Sequence, residues 1–208
     1  MSSFGVHYGD WQEKRIKAIT DYYSPDFFKG KTLLELGCGH GDIGAVFAEL
    51  GADVTFLDAR KEHLLECVEK YPGSRTICMD LDNEWPPGAY DVIFHLGTLY
   101  HLKDYRDSLQ KCATSCKHLV LETEVLDSSD STWITVEEPD RYDQAFNGVG
   151  NRPTTKAVED LLNTLNFKFE RITDDRCNSG FHKYDWQGQN TMEWQHGLRR
   201  FWFCEKMN

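Results

Sequence analysis

From Leu33 to Gly41 the chain reads Leu-Leu-Glu-Leu-Gly-Cys-Gly-His-Gly, with glycines at alternate positions directly behind a short apolar run. Glycine reaches backbone conformations closed to other residues, and without side chains the main chain bends sharply and lies against a ligand. The run is therefore a candidate nucleotide cradle, with Glu35, Gly37, Cys38 and Gly39 at its centre. Carboxylates follow at suggestive places. Asp58, with Ala59 behind it, closes the next apolar run, where an aspartate accepts hydrogen bonds from both hydroxyls of a ribose. Asp80, followed by Leu81, closes the run after that. These features alone leave the nucleotide open, because Gly39 to Gly44 also satisfies the G-x-G-x-x-G pattern of dinucleotide sites. A second group with chemical capacity is Tyr100-His101, in which His101 is a candidate general base near neutral pH. Tyr142, Arg152 and Arg200, together with Tyr100, are candidate contacts for a substrate or an anion.

These residues must be positioned by regular elements, and the periodicities supply them. Ile16, Ile19 and Tyr23 predict a leading helix over 11–23, stopped by Ser24-Pro25. Apolar runs predict strands at 31–36, 54–57, 75–79, 90–96 and 118–125. Helical spacing predicts helices near 43–50, 61–71 and 104–117, then another at 154–165 followed by strands at 167–172 and 199–204. Strands alternating with helices at this spacing imply a doubly wound α/β sheet. The strand at 90–96 is apolar almost throughout, as a central parallel strand is, and it delivers His95, Leu96, Tyr100 and His101 to the carboxyl edge where open sheets bind ligands. Residues 127–153 break the rhythm and are read as an insertion or lid. The cluster Phe181 to Trp186 is read as cover for a sheet edge and given no chemistry.

Composition narrows the classes. With 208 residues and 40% hydrophobic content the chain suits one domain, spanning 1–208, with a leading helix and flap over 1–30. No secretion signal or long apolar stretch is visible, which predicts a cytoplasmic protein with no membrane contact. Seven cysteines without a Cys-x-x-Cys pair argue against a disulfide framework and against a metal site, and Cys112 and Cys116 are expected to pack in the core. A formal charge of −11 disfavours nucleic acid as a partner.

The run Glu35-x-Gly37-x-Gly39-x-Gly41 closely resembles motif I of class I S-adenosylmethionine-dependent methyltransferases. Asp80-Leu81 resembles that family's adenine-binding step, and Tyr90 to Leu96 resembles the strand whose end, here His95 and Leu96, borders the transferable methyl. No Tyr-x-x-x-Lys pair of the short-chain dehydrogenases occurs. The resemblance covers roughly residues 31–125. It implies a mostly parallel seven-stranded sheet with helices on both faces and an antiparallel last strand, S-adenosylmethionine as cofactor, S-adenosylhomocysteine as product, and a small or medium-sized methyl acceptor. His7, Tyr8 and Trp11 resemble the flap that closes over the cofactor in many such enzymes. A narrower likeness lies in Gly97-Thr98-Leu99-Tyr100-His101, Pro139 to Tyr142, the helix after Pro153 and Leu165 to Phe167. These resemble the enzymes that carboxymethylate wobble uridine in tRNA with carboxy-S-adenosylmethionine, and the likeness implies that Tyr100 and Arg200 meet the cofactor's extra carboxylate. The 208 residues include no counterpart of the amino-terminal domain that gives a lysine to the same carboxylate in that family. The alternatives are accordingly a tRNA carboxymethyltransferase and a cofactor-binding module without catalysis.

Overall fold

The computed structural model describes residues 6–138, 144–193 and 197–207. Helix α1 runs from Val6 to Tyr23, and β1 (Thr32–Leu36), α2 (Asp42–Glu49), β2 (Asp53–Asp58), α3 (Lys61–Lys70), β3 (Arg75–Cys78) and β4 (Tyr90–Leu96) follow. Next come α4 (Tyr105–Ser115), β5 (Cys116–Glu124), β6 (Trp133–Glu137), β7 (Val149–Pro153), α5 (Thr155–Thr164), β8 (Phe167–Arg171) and β9 (Arg199–Lys206). Seven strands form one sheet in the order β3-β2-β1-β4-β5-β9-β8. The strands β1 to β5 pair in parallel, and β9 runs antiparallel to both of its neighbours. The order turns outward in opposite directions from β1 and β4, and the crevice over their carboxyl ends is where such sheets bind ligands.

Period-two alternation sends each strand's side chains into two separate cores. Leu33, Val92, Phe94, Val120, Phe201 and Phe203 pack with α1 and α2 on one face. Leu34, Leu36, Ile93, Leu121, Trp202 and Cys204 pack with α4 and α5 on the other. Burying both faces requires the nearly continuous apolar strands seen in β1 and β4. Helices α4 and α5 start where Asp104 and Thr154 accept backbone N–H groups of Arg106 and Ala157. Cys112 and Cys116 are buried as core residues, and no cluster among the described residues is arranged to hold a metal. Among the same residues no helix is long and apolar enough to cross a membrane.

Two expectations change. The leading helix begins at Val6, so Tyr8 and Trp11 lie on its first turns and do not precede it as a flap. The segment read as an irregular lid contains the antiparallel hairpin β6–β7, paired from Trp133↔Pro153 to Glu137↔Val149. Val-Gly-Asn-Arg-Pro carries no apolar period, because β7 is buried through polar contacts rather than through hydrophobic ones.

Candidate active site

The glycine turn joins β1 to α2 with Gly37, Gly39 and Gly41 all at positive φ (64°, 54° and 79°), a region other residues avoid. A Cβ on Gly37 would lie 2.2 Å from Thr98 Oγ1, so the loops after β1 and β4 touch only because the side chain is missing. Cys38 N–H donates to the Leu57 carbonyl at 2.9 Å. Gly39 N–H donates to Asp58 Oδ2 at 3.0 Å, while Oδ1 takes the Arg60 N–H at 2.8 Å and lies 3.2 Å from His63 Nδ1. Asp58 thus fastens the turn to the end of β2. Glu35 lies beneath α2 and accepts Gly44 N–H at 3.1 Å; burial pushes its carboxyl up to about 8.

Asp80 sits two residues beyond the end of β3, at the head of a turn. It accepts Asp82 N–H at 3.0 Å, Asn83 Nδ2 at 2.6 Å and, from the segment before β7, Asn147 Nδ2 at 3.0 Å. Glu35, Gly37, Cys38, Gly39, Asp58, Ala59, Asp80, Leu81 and Leu96 line a single cleft of about 320 Å³, which Tyr100 and His101 border as well.

Beyond Leu96 the cleft rests on a buried ladder of alternating charges. His101 Nδ1 meets Glu138 Oε2 at 2.5 Å, and Glu138 Oε1 takes Arg152 Nη2 at 3.0 Å. Arg152 Nε lies 2.7 Å from Glu124, whose other oxygen takes Arg199 Nη2 at 3.1 Å. Arg199 Nη1 reaches Glu122 at 2.9 Å, and Arg15 from α1 stands 3.5 Å from the far oxygen of Glu122. Three guanidiniums thus face three carboxylates, all of them buried. Arg199 also donates to the Tyr100 hydroxyl at 2.9 Å. Burial pushes the Tyr100 phenol above its ordinary range, so it stays protonated and serves as a fixed contact. Trp11 lies over Arg15, stacks on His182 and donates from its indole to the Tyr184 hydroxyl at 2.7 Å.

Several expected residues fall elsewhere. His95 points to the α4 face, bonded to Ser108 at 3.0 Å and fully buried; burial pushes its imidazole down to about 3, and it does not line the cleft. Arg200 is turned away as well. On β9, Arg199 shares the α1 face with Phe201 and Phe203, whereas Arg200 points with Trp202 to the opposite face, donates to the carbonyls of Tyr184 and Trp186, and stacks on Trp186. The cation beside Tyr100 is its neighbour, Arg199. Arg152 is buried within the ladder, donating to the Tyr100 carbonyl at 2.8 Å, and does not line the cleft. Tyr142 lies outside the described residues, as do the side chain of His7 and the Pro139 to Arg141 segment. The Phe181 to Trp186 cluster is not mere edge cover, because Phe181 and His182 line the cleft and Tyr184 holds Trp11 and Glu122. Sequence reasoning also gave no role of their own to Arg15, Glu122, Glu124, Glu138 and Arg199. The available signal was Glu122-x-Glu124 in an otherwise apolar buried strand, since paired carboxylates there require cations on the same face.

Comparison with known proteins bears on this cleft. Residues 8–172 match the family model described as "Methyltransferase domain". The tRNA U34 carboxymethyltransferase of Hahella chejuensis is 31% identical over 182 residues, which is 82% of this chain and 53% of that protein. The Proteus mirabilis protein of the same name is 31% identical over 197 residues, 88% of this chain and 58% of that one. The chain spans about half the length of the curated relatives it matches. Among solved structures, the N-terminal domain of EvdMO1 with S-adenosylhomocysteine and D-fucose superposes with a TM-score of 0.71 at 16% identity, covering 96% of this chain and 83% of that one. An S-adenosylmethionine-dependent methyltransferase from Mesorhizobium loti gives 0.67 at 17% identity, covering 96% and 100%. These structural likenesses speak for the doubly wound sheet, and the family match covers the glycine turn, Asp58, Asp80 and the His101 loop together. The chain belongs to the methyltransferase domain family.

Proposed function

We propose that this chain is an S-adenosylmethionine-dependent methyltransferase acting on a small or medium-sized acceptor, with His101 as the base. The observation that carries the reading is that the glycine turn, Asp58, Asp80, Tyr100 and His101 all line one cleft. The residues fit the cofactor. Asp58 Oδ2, with Gly39 N–H as its backbone partner, keeps lone-pair capacity, which supports its reading as an acceptor for a ribose hydroxyl. Leu57, Met79 and Leu81 supply an apolar lining beside Asp80 for a flat base, and Glu35 lies under the turn where the cofactor's amino-acid end belongs. When bound, the cofactor supplies an electrophilic methyl on a sulfonium, so that the acceptor's lone pair forms the new bond as the carbon–sulfur pair returns to sulfur. The chain's own work is to align the acceptor and, where the acceptor is an O–H or N–H, to take its proton at His101.

A second reading, tRNA carboxymethylation with the carboxylated cofactor, is supported by the names of the relatives and by Tyr100. The ladder speaks for the ordinary cofactor. Burial opposes the charge of Arg199, but Glu122 and Glu124 hold it and already neutralise it, while Arg200 faces away. The net charge of −11 also repels a polyanion at long range.

Calorimetric titration with S-adenosylhomocysteine, carboxy-S-adenosylmethionine and NADH tests the proposal. S-Adenosylhomocysteine should bind, and Asp58→Ala should weaken it by about 10- to 100-fold, the equivalent of one or two lost charge-assisted hydrogen bonds. Heat from NADH alone would overturn the assignment. A clear preference for the carboxylated form would favour the second reading.

A further inference from the structure

Resting on the reading of His101 as the base, we infer that Glu138 is its positioning residue, a carboxylate carried by the β6–β7 hairpin that fixes which imidazole nitrogen holds the proton. Glu138 directly follows β6 and is almost fully buried. Its two oxygens have separate partners. Oε1 takes Arg152 Nη2 at 3.0 Å, whereas Oε2 takes Ala145 N–H at 2.8 Å and lies 2.5 Å from His101 Nδ1. Burial works against ionisation of Glu138, but the His101 bond, the Ala145 N–H and Arg152 outweigh it and hold the carboxyl below its usual range. An ionised carboxylate only accepts hydrogen bonds, so Nδ1 must be the donor, and Nε2 is the nitrogen left to exchange a proton on a ring that lines the cleft.

The surrounding backbone is shaped for this contact. A Cβ on Gly150 would lie 2.3 Å from the Tyr100 carbonyl and 2.5 Å from Glu138 Oε1, so β7 approaches the His101 turn closely only because position 150 has no side chain. Asn151 Nδ2 donates to the carbonyls of Leu99 and Leu102, the residues that bracket Tyr100-His101, and Arg152 Nη1 donates to that of Tyr100. Glu138 N–H donates to the Gly148 carbonyl at 2.9 Å, which holds the hairpin end against the same turn. The hairpin is therefore a clamp on the loop that presents His101. Its placement next to the cleft follows from what it holds, and its polar sequence follows from how it holds it.

Long-range ¹H–¹⁵N correlation spectra of the full chain, labelled at histidine and saturated with S-adenosylhomocysteine, read the tautomer directly. The His101 signals are identified by their loss in His101→Asn. The proposal expects a neutral His101 with Nδ1 protonated and a pyridine-type Nε2, and expects Glu138→Ala to shift the ring toward the Nε2–H form. A wild-type ring with Nε2 protonated, or one that is imidazolium up to pH 8, would overturn it without recourse to any variant. A wild-type tautomer that persists unchanged in a folded Glu138→Ala chain would overturn it too. Failure of the wild-type chain to bind S-adenosylhomocysteine would instead count against the methyltransferase reading itself.

Discussion

Asp58 holds the glycine turn and faces the cleft at the same time, which makes its spacing from Gly37 readable in the sequence. A strand end one βα unit on has few places to lie other than beside the preceding turn. Gly37 is as constrained. Gly37→Ala would combine a positive φ with a Cβ in collision with Thr98, and an expected cost of about 2 kcal/mol or more should appear in denaturant melts together with loss of S-adenosylhomocysteine binding. Glu35 yields a pH signature. Between its ordinary value near 4.5 and about 8 the folded chain keeps a proton that the unfolded chain releases, so its contribution to stability is full at acid pH and is lost as the pH rises to about 8. Glu35→Gln should flatten that decline, by on the order of a few kcal/mol at pH 8, in melts recorded from pH 5 to 9. Other residues were not legible singly. Arg199 and Arg200 are adjacent and of one type, and which of them faces Tyr100 is decided by strand parity, fixed only once Phe201 and Phe203 are known to pack toward α1.

At the scale of elements, the strands and helices of the sheet were legible because each buries an apolar face with a clear period. The hairpin was not, since Gly150, Asn151 and Arg152 are buried by hydrogen bonds and ion pairs that leave no hydrophobic pattern. The first turns of α1 were missed for a related reason: they are held by Trp11, through Arg15 and Tyr184, and not by an apolar stripe. The elements α1, β5 and β9 meet through the charge ladder, so a single truncation should be felt in all three. Glu122→Ala leaves Arg199 with one carboxylate and Arg15 with none of its own, and an expected loss of about 3–5 kcal/mol should be seen in chemical denaturation. Glu122→Gln, which keeps an acceptor for Tyr184 and Arg199, should recover part of it.

For the molecule as a whole, the doubly wound sheet was readable from the order of periodic segments, because short right-handed crossovers leave few other arrangements, whereas the reversal of β9 came only from the family resemblance. The acceptor was not readable, because the cleft is lined by residues of α1, the β4–α4 loop, the segment before β7 and the Phe181 segment, far apart in sequence. A ligand that binds only the folded chain stabilises it by mass action, so S-adenosylhomocysteine at about 100 times its dissociation constant should add about 2.7 kcal/mol and raise the melting temperature, whereas NADH should not. The most direct test of the central claim is a crystal structure of the chain with S-adenosylhomocysteine. The account predicts the adenosine between the Gly37–Gly41 turn and the carboxylates of Asp58 and Asp80, with the sulfur directed toward Tyr100 and His101. Density for the ligand elsewhere, or with Asp58 and Asp80 turned away from it, would contradict the account.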